Sequence, residues 1–380
     1  MRILTLSNSP LVAAQGSGYV VLNYARGLKA KNHEVDLFGP ESLEILSFLK
    51  KAKSHRISLG MLVRAVRQLL FKNYDILEFY GSESWLTAFV LYHLPRRRFL
   101  MVAHSNGLET QSRAATQKFL SLTDLDDGPP KWYQTLLKPP VSRAFTKVDG
   151  IVTVSDFDRR YALANGYQVP QRVVAIENPL TNEYLGLTVD FRRPMVVGFC
   201  GSWLARKGID IVQADIGQIL RVFQNCRLRL IGVGREFRKE SWFPAEVCDR
   251  VEVIPFVESK TELRGIYESL AILVMPSIYE SFGLVAAEAM ACGCAVAATR
   301  TGFSASLSDR KEAMLMEEPK SPFLYQCVRA LLLDEEGRIR IAREGYARVQ
   351  RLRWPEAIDA LEATYTSWLE EFRSIPKAFQ

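Results

Sequence analysis

Long apolar runs are missing from this 380-residue chain. A bilayer-crossing helix needs about 20 predominantly apolar residues, and stretches such as residues 270–275 stop short, here at Pro276. The opening segment, Met1 to Leu6, carries one basic residue and too little apolar length for a secretory signal, and reads as a buried first strand. The expectation is a cytoplasmic protein, soluble or peripheral on the inner face of a membrane. Metal-ligand spacing is missing too. The six cysteines (Cys200, Cys226, Cys248, Cys292, Cys294, Cys327) all lie in the second half and mostly inside apolar segments. Only Cys292-Gly293-Cys294 is close-set, and a one-residue gap is a poor zinc clip. Reduced core thiols are expected, which excludes a disulfide framework and a zinc module. Histidine is scarce, and His33, His55 and His93 fall in helical or loop contexts; His104 alone follows a strand.

What is present is an ordinary globular composition, 48% hydrophobic and 24% charged, enough for two cores. The charge is uneven. Residues 1–185 hold 23 of the 49 Lys+Arg and 16 of the 42 Asp+Glu, so the whole net charge of +7 resides there. Basic residues are not interleaved with aromatics in any recognised nucleic-acid module, and no nucleic-acid partner is expected. Apolar β-rich runs alternate with helical stretches, the pattern of parallel sheets with crossover helices. Strands are expected at residues 2–6, 34–38, 75–79, 99–103, 150–154 and 173–176. A second series follows at 195–200, 227–231, 251–255, 271–275, 294–298 and 313–316. The turn-forming stretch Asn178-Pro179-Leu180-Thr181-Asn182 suits a linker. Two doubly wound α/β domains, 1–180 and 181–354, are therefore expected, with ligands in a cleft facing the carboxyl ends of both sheets. A last helix over about 355–372 carries Trp354, Ile358, Leu361, Tyr365, Trp368 and Leu369 at helical spacing, a packing stripe. The terminal segment 355–380 is expected to return toward the first domain.

The most specific segment is Tyr279-Glu280-Ser281-Phe282-Gly283-Leu284-Val285-Ala286-Ala287-Glu288-Ala289-Met290-Ala291-Cys292-Gly293. It follows a strand and Pro276, so Glu280 belongs to the loop at the strand's carboxyl end and a helix begins near Gly283. The first turn of such a helix offers unpaired N–H groups and a positive dipole end to diphosphate oxygens. Gly283 allows close backbone approach. Carboxylates accept hydrogen bonds from vicinal hydroxyls, whereas next to a bare anion they would repel it. The alternative is that Glu280 caps the helix and Glu288 is solvated.

Two glutamates separated by seven residues and followed by Ala-Met-Ala-x-Gly resemble the signature of family 4 retaining glycosyltransferases. That resemblance implies the GT-B fold of two Rossmann-like domains. It also implies a nucleotide-sugar donor contacted by Glu280 at the sugar and Glu288 at the ribose, with Ser281, Phe282, Gly283 and Leu284 lining the site. Gly198-Phe199-Cys200-Gly201 with Arg206-Lys207-Gly208-Ile209-Asp210 is similar to the family's Gly-Arg…Lys-Gly element, and Leu230-Ile231-Gly232-Val233-Gly234 to its strand-end glycines. Residues 149–179, with Val154-Ser155 and Ile176-Glu177-Asn178-Pro179, resemble its interdomain region. The likeness runs in order through most of residues 148–303. One departure stands out: Ser202 occupies the place where the family usually carries arginine, and Arg206 is the candidate replacement. A single lysine such as Lys207, about 4 Å from a leaving phosphate at an effective dielectric near 20, contributes on the order of 4 kcal/mol.

In the first half, Gly16-Ser17-Gly18 follows the first strand. Here Val21 occupies the third position of a GxGxxG, and Phe38-Gly39-Pro40 stands where a dinucleotide fold places its acidic ribose anchor, which argues against NAD. The family commonly has a glycine-containing loop at this place, so Gly16 and Gly18 are candidate donor contacts. The segment Ala103-His104-Ser105-Asn106-Gly107-Leu108-Glu109 is similar to a His-Gly-Leu-Glu region in part of the family, which implies that His104 approaches the donor sugar. Residues 48–72 form a basic amphipathic stretch suited either to an anionic membrane surface or to ordinary sheet packing. Arg96-Arg97-Arg98 adds to it, and related enzymes often use this domain for lipid-linked acceptors. A UDP-hexose donor and a polysaccharide, oligosaccharide or glycolipid acceptor follow from the resemblance. The donor phosphate would guide same-face attack, with no protein nucleophile, cofactor or metal. Asp124-Leu125-Asp126 and Asp156-Phe157-Asp158 are Asp-x-Asp pairs, and the second suits a helix start better than a metal. A sugar-nucleotide epimerase of the same architecture and a non-catalytic nucleotide-sugar-binding partner are the alternatives.

Overall fold

The computed structural model describes residues 1–12, 16–45, 52–119 and 140–374. It contains two parallel sheets of six strands each. The first is built from β1 (Arg2–Ser7), β2 (Glu34–Phe38), β3 (Ile76–Tyr80), β4 (Leu100–Ser105), β5 (Gly150–Thr153) and β6 (Val173–Ala175), in the order β2-β1-β3-β4-β5-β6. The second is built from β7 (Val196–Cys200), β8 (Arg227–Ile231), β9 (Val251–Ile254), β10 (Ile272–Met275), β11 (Ala295–Thr299) and β12 (Met314–Met316), in the order β12-β11-β10-β7-β8-β9. Each expected strand has its counterpart, displaced by no more than two residues at either end. Seven helices matter below: α1 (Gly16–Ala30), α2 (Lys53–Phe71), α3 (Trp85–Tyr92), α4 (Arg143–Thr146), α5 (Asp156–Ala164), α6 (Leu284–Ala291) and α7 (Trp354–Ser374).

The chain divides into two compact units. One takes the described residues of 1–111, 127–178 and 354–380, the other those of 112–126 and 179–353. In the first unit, strand alternation sends Leu4, Leu6, Leu77 and Phe79 into one buried cluster and Ile3, Ile76 and Val102 into another. The second cluster is closed by Leu361, Tyr365, Trp368 and Leu369 of α7, the stripe read from helical spacing. Each of these four side chains is at most 4% exposed. At about 25 cal/mol per Å2, burying such side chains contributes roughly 1.5–3 kcal/mol apiece. In the second unit a large buried cluster runs over β7, β8 and β10, with Val197, Phe199, Leu228, Leu230, Ile272 and Val274 among its members.

The expected Asp-x-Asp helix start is seen at α5. The Ser155 hydroxyl accepts from the Asp158 N–H at 3.3 Å, and Asp156 pairs with Arg159 and Arg160. Asp124 and Asp126 lie outside the described residues, as do 48–51 of the basic stretch. The cysteines are free thiols, four of them buried. No helix among the described residues is long and apolar enough to cross a membrane.

Candidate functional site

In a doubly wound sheet the ligand crevice opens where the strand order reverses, at the carboxyl ends of the two strands flanking that point. In the second sheet those strands are β7 and β10, paired in parallel through Val197, Gly198 and Phe199 with Ile272, Leu273 and Val274. The loop after β7 holds Gly201 to Lys207, and the loop after β10 holds Ser277 to Gly283. The most specific motif and the Lys-Gly element are therefore neighbours because of topology.

Lys207 and Glu280 meet there, Nζ to Oε1 at 2.6 Å, with both side chains mostly buried. Gly208 permits the approach. Its φ is +73°, and a Cβ at this position would lie 2.1 Å from the carbonyl oxygen of Pro276, so any larger residue would push the lysine turn away from the strand end. Ser277, fully buried, donates its hydroxyl to the same Glu280 Oε1 at 2.7 Å. Both donors thus act on one carboxylate oxygen, which leaves Oε2 for a ligand hydroxyl. An ammonium carries three donors, so Lys207 keeps capacity for phosphate oxygens while holding Glu280.

The Glu280 backbone is fixed from behind by the turn that follows β11. Its N–H donates to Thr301 Oγ1 at 2.9 Å, and the Thr301 hydroxyl donates to the Glu280 carbonyl at 3.2 Å. The Phe303 N–H reaches the Phe282 carbonyl at 2.7 Å. Ser277 and Thr301 escaped the sequence reading; the one available signal was a small hydroxyl residue at each strand's carboxyl end. Gly283 precedes α6 with φ +90° and, lacking a side chain, offers that helix no cap, while the Glu280 carboxylate is taken up by Lys207 and Ser277. Glu280 therefore does not cap the helix.

Glu288, on α6, is not solvated. It is 9% exposed, and burial pushes its carboxyl up to about 7, against a smaller downward pull from Lys260. It belongs to the same locality as the ion pair, since the Cys200 thiol at the end of β7 feels both Glu288 and Lys207. Burial pushes that thiol up to about 11, so it is inert as a nucleophile. Among the described residues no group of three or more His, Cys, Asp or Glu side chains is arranged to hold a metal ion.

A model described as Glycosyltransferase Family 4 matches residues 14–183, and one described as Glycosyl transferases group 1 matches residues 194–334. The chain belongs to glycosyltransferase family 4. Among curated proteins this family 4 chain is similar to D-inositol 3-phosphate glycosyltransferase of Segniliparus rotundus, 31% identical over 46% of this chain and 40% of that protein. It is also similar to an uncharacterized glycosyltransferase of Methanocaldococcus jannaschii, 26% identical over 58% of this chain and 60% of the other. The match thus spans about half the length of these relatives. Among solved structures it resembles sucrose-phosphate synthase from Thermosynechococcus elongatus (TM-score 0.75, 17% identity, 98% of this chain and 100% of that one). It resembles Anabaena HepE in complex with UDP-glucose as well (TM-score 0.67, 17% identity, 97% and 100%). These structural likenesses concern the fold, a two-domain α/β GT-B architecture.

Other candidate residues of this family 4 protein are placed differently from expectation. His104 does not open from a strand end. It is 4% exposed, stacked on Tyr80 with ring centroids 4.2 Å apart, and its Nε2 lies 2.6 Å from the Tyr365 hydroxyl and 3.4 Å from Glu78. The Tyr365 hydroxyl donates to Glu78 Oε2, so its oxygen accepts from the imidazole N–H. Thr5 donates to Glu78 Oε1 at 2.5 Å. Burial pushes the Glu78 carboxyl up, but the hydrogen bond and charge of His104, with Thr5 and Tyr365, outweigh it and hold the group below its ordinary value. His104 is thus one member of an internal polar cluster of the first unit. Gly16, Ser17 and Gly18 form the first turn of α1 instead of a loop. A Cβ on Gly18 would lie 2.0 Å from the Pro10 carbonyl oxygen, so that glycine serves close packing of chain on chain. The Phe282 ring is 3% exposed and packs on Phe303 at 5.2 Å, which leaves only its backbone for the site. Ser281 and Leu284 are half-buried and Arg206 is exposed.

Proposed function

We propose that this protein is a retaining glycosyltransferase that moves a sugar from a nucleoside diphosphate donor, UDP-hexose by preference, to a polysaccharide, oligosaccharide or lipid-linked acceptor. The observation that carries this reading is the Lys207–Glu280 pair at the switch point of the second sheet, 2.6 Å across and set before the amide end of α6. Lys207 and the α6 amide end would hold the diphosphate. Glu280 Oε2 would accept from sugar hydroxyls and Glu288 from the ribose. As the bond between the anomeric carbon and the β-phosphate oxygen breaks, the acceptor oxygen bonds that carbon from the same face and its proton passes to the departing phosphate. The protein supplies positioning and charge stabilisation, and neither a protein nucleophile nor a metal is needed.

A panel of nucleoside diphosphate sugars, with released diphosphate measured with and without oligosaccharide or lipid acceptors in chelator, tests this directly. Acceptor-dependent release of UDP, with the product keeping the donor's anomeric configuration, is expected. An acceptor-independent 2-epimer would favour an epimerase, and failure of every sugar nucleotide to bind in calorimetry would remove the reading altogether.

A further inference from the structure

The helix α2 is apolar on both sides. Its inward residues Ile57, Met61 and Ala65 are buried against the first sheet. Its outward face carries Leu59, Val63, Val66, Leu70 and Phe71, exposed by 40%, 52%, 41%, 76% and 80%. Four of these follow one another at helical spacing, so they form a continuous stripe along the helix and not scattered surface residues. An ordinary sheet-packing helix needs only the first face, and the second face is exposed among the described residues.

The charge around the stripe has one sign. No aspartate or glutamate occurs between Glu44 and Asp75, nor between Glu83 and Glu109. The helices α2, α3 and α4 pack side by side, and α3 and α4 are tied by Arg143 over the Phe89 ring at 4.6 Å and Lys147 over the Tyr92 ring at 4.9 Å. The acids bordering this layer are already engaged: Glu44 by Arg56, Asp36 by Lys72 and Asp149 by Arg97. Arg67, on α2 beside the stripe, and Arg96 and Arg98, in the turn after α3, have no carboxylate partner among the described residues.

We propose that this layer docks on an anionic bilayer surface, with Leu70 and Phe71 entering the acyl boundary and Arg67, Arg96 and Arg98 lying at the headgroups. A convex helix with aliphatic side chains beside unopposed cations matches a plane that is apolar below and anionic above. A nucleic acid would leave the aliphatic stripe in water, and a protein partner would need an acidic, apolar groove of matching shape. The proposal stands apart from the transfer reaction, because none of these residues belongs to the second unit.

The test is flotation of the full chain with phosphatidylcholine vesicles, with and without phosphatidylglycerol, at low and high salt. Binding is expected only to the anionic vesicles and is lost in high salt. The pair Leu70→Gln/Phe71→Gln should weaken it about tenfold or more, and Arg96→Gln/Arg98→Gln about tenfold. All four side chains lie at the surface, so the thermal midpoint should not move, and either pair alone keeps the test decisive if the other fails to fold. Equal binding to neutral vesicles, no binding at low salt, or indifference to both pairs would overturn the proposal. So would a dimer in solution that Leu70→Gln/Phe71→Gln dissolves while vesicle binding is absent.

Discussion

Each unit of this protein buries one glutamate, and the two behave in opposite ways. Glu78, 1% exposed on β3, is held below its ordinary carboxyl range, whereas Glu288, 9% exposed on α6, is pushed up to about 7. Desolvation acts on both in the same direction, so the difference lies in the donors supplied. Glu78 receives Thr5, Tyr365 and His104 from three other elements, and its charge is satisfied at home. Glu288 has the charge of Lys260 to set against burial, and burial outweighs it. A satisfied buried carboxylate is a structural device, whereas a buried carboxyl short of donors matches the ribose contact proposed for Glu288.

The sharpest way to break this contrast is Glu78→Ala. It strands the imidazole and both hydroxyls in the core, and a loss of about 3–5 kcal/mol is expected, which scanning calorimetry would read as a fall of roughly 10 °C in the midpoint. Donor affinity of the folded fraction should hold, and a variant that melts with the wild type but loses donor binding would put Glu78 in the site after all. Next in size is Lys207→Ala, expected to lower turnover roughly 100- to 1000-fold with little change in stability, because Ser277 still serves Glu280. Wild-type turnover in that variant would remove Lys207 from the chemistry.

The raised carboxyl of Glu288 ties stability to pH. Between the ordinary carboxyl value and about 7, folded Glu288 keeps a proton that the unfolded chain has released. The stability linked to it is complete below the unfolded value and is lost as pH rises through 7. Glu288→Gln removes this dependence, so in urea denaturation it should match wild type near pH 5 and exceed it at pH 8 by up to about 3 kcal/mol. Ribose hydroxyls donate best to the ionised carboxylate. Donor affinity of the wild type should therefore climb through neutrality while the glutamine variant stays flat, and parallel pH profiles for the two proteins would refute the assignment.

The same contrast explains how far the sequence could be read. All twelve strands were legible because apolar β-rich runs between helical stretches are local signals, and the switch-point site followed because topology carries the ends of β7 and β10 together. What escaped depends on residues distant in sequence. Glu78, flanked by Leu77 and Phe79, was a visible anomaly in a buried strand, but its partners Thr5, His104 and Tyr365 lie on β1, β4 and α7. Without them His104 read as a group open to a donor, and Tyr365 as one more apolar member of a helical stripe. The packing role of Gly18 was hidden for a related reason, since glycine marks both a phosphate loop and a tight helix contact, and the Pro10 carbonyl 2.0 Å from a would-be Cβ is invisible in the sequence.

The smallest effect belongs to Arg206. Its carbonyl is fixed by the Ile278 N–H at 2.9 Å, which anchors the backbone beside the Glu280 loop, while its guanidinium stands in solvent. Lys207, mostly buried and paired, works in a weaker screening environment, so the neighbouring arginine should contribute far less despite equal charge. Arg206→Ala is expected to weaken donor binding about two- to fivefold at low ionic strength and hardly at all in high salt. Introducing Ser202→Arg into that variant puts a cation where the family resemblance expects one, and should restore the lost affinity. Calorimetric titration of wild type, single and double variants at two salt concentrations reads this. Unchanged binding on losing Arg206 would mean that Lys207 and the α6 amide end hold the diphosphate without a second cation.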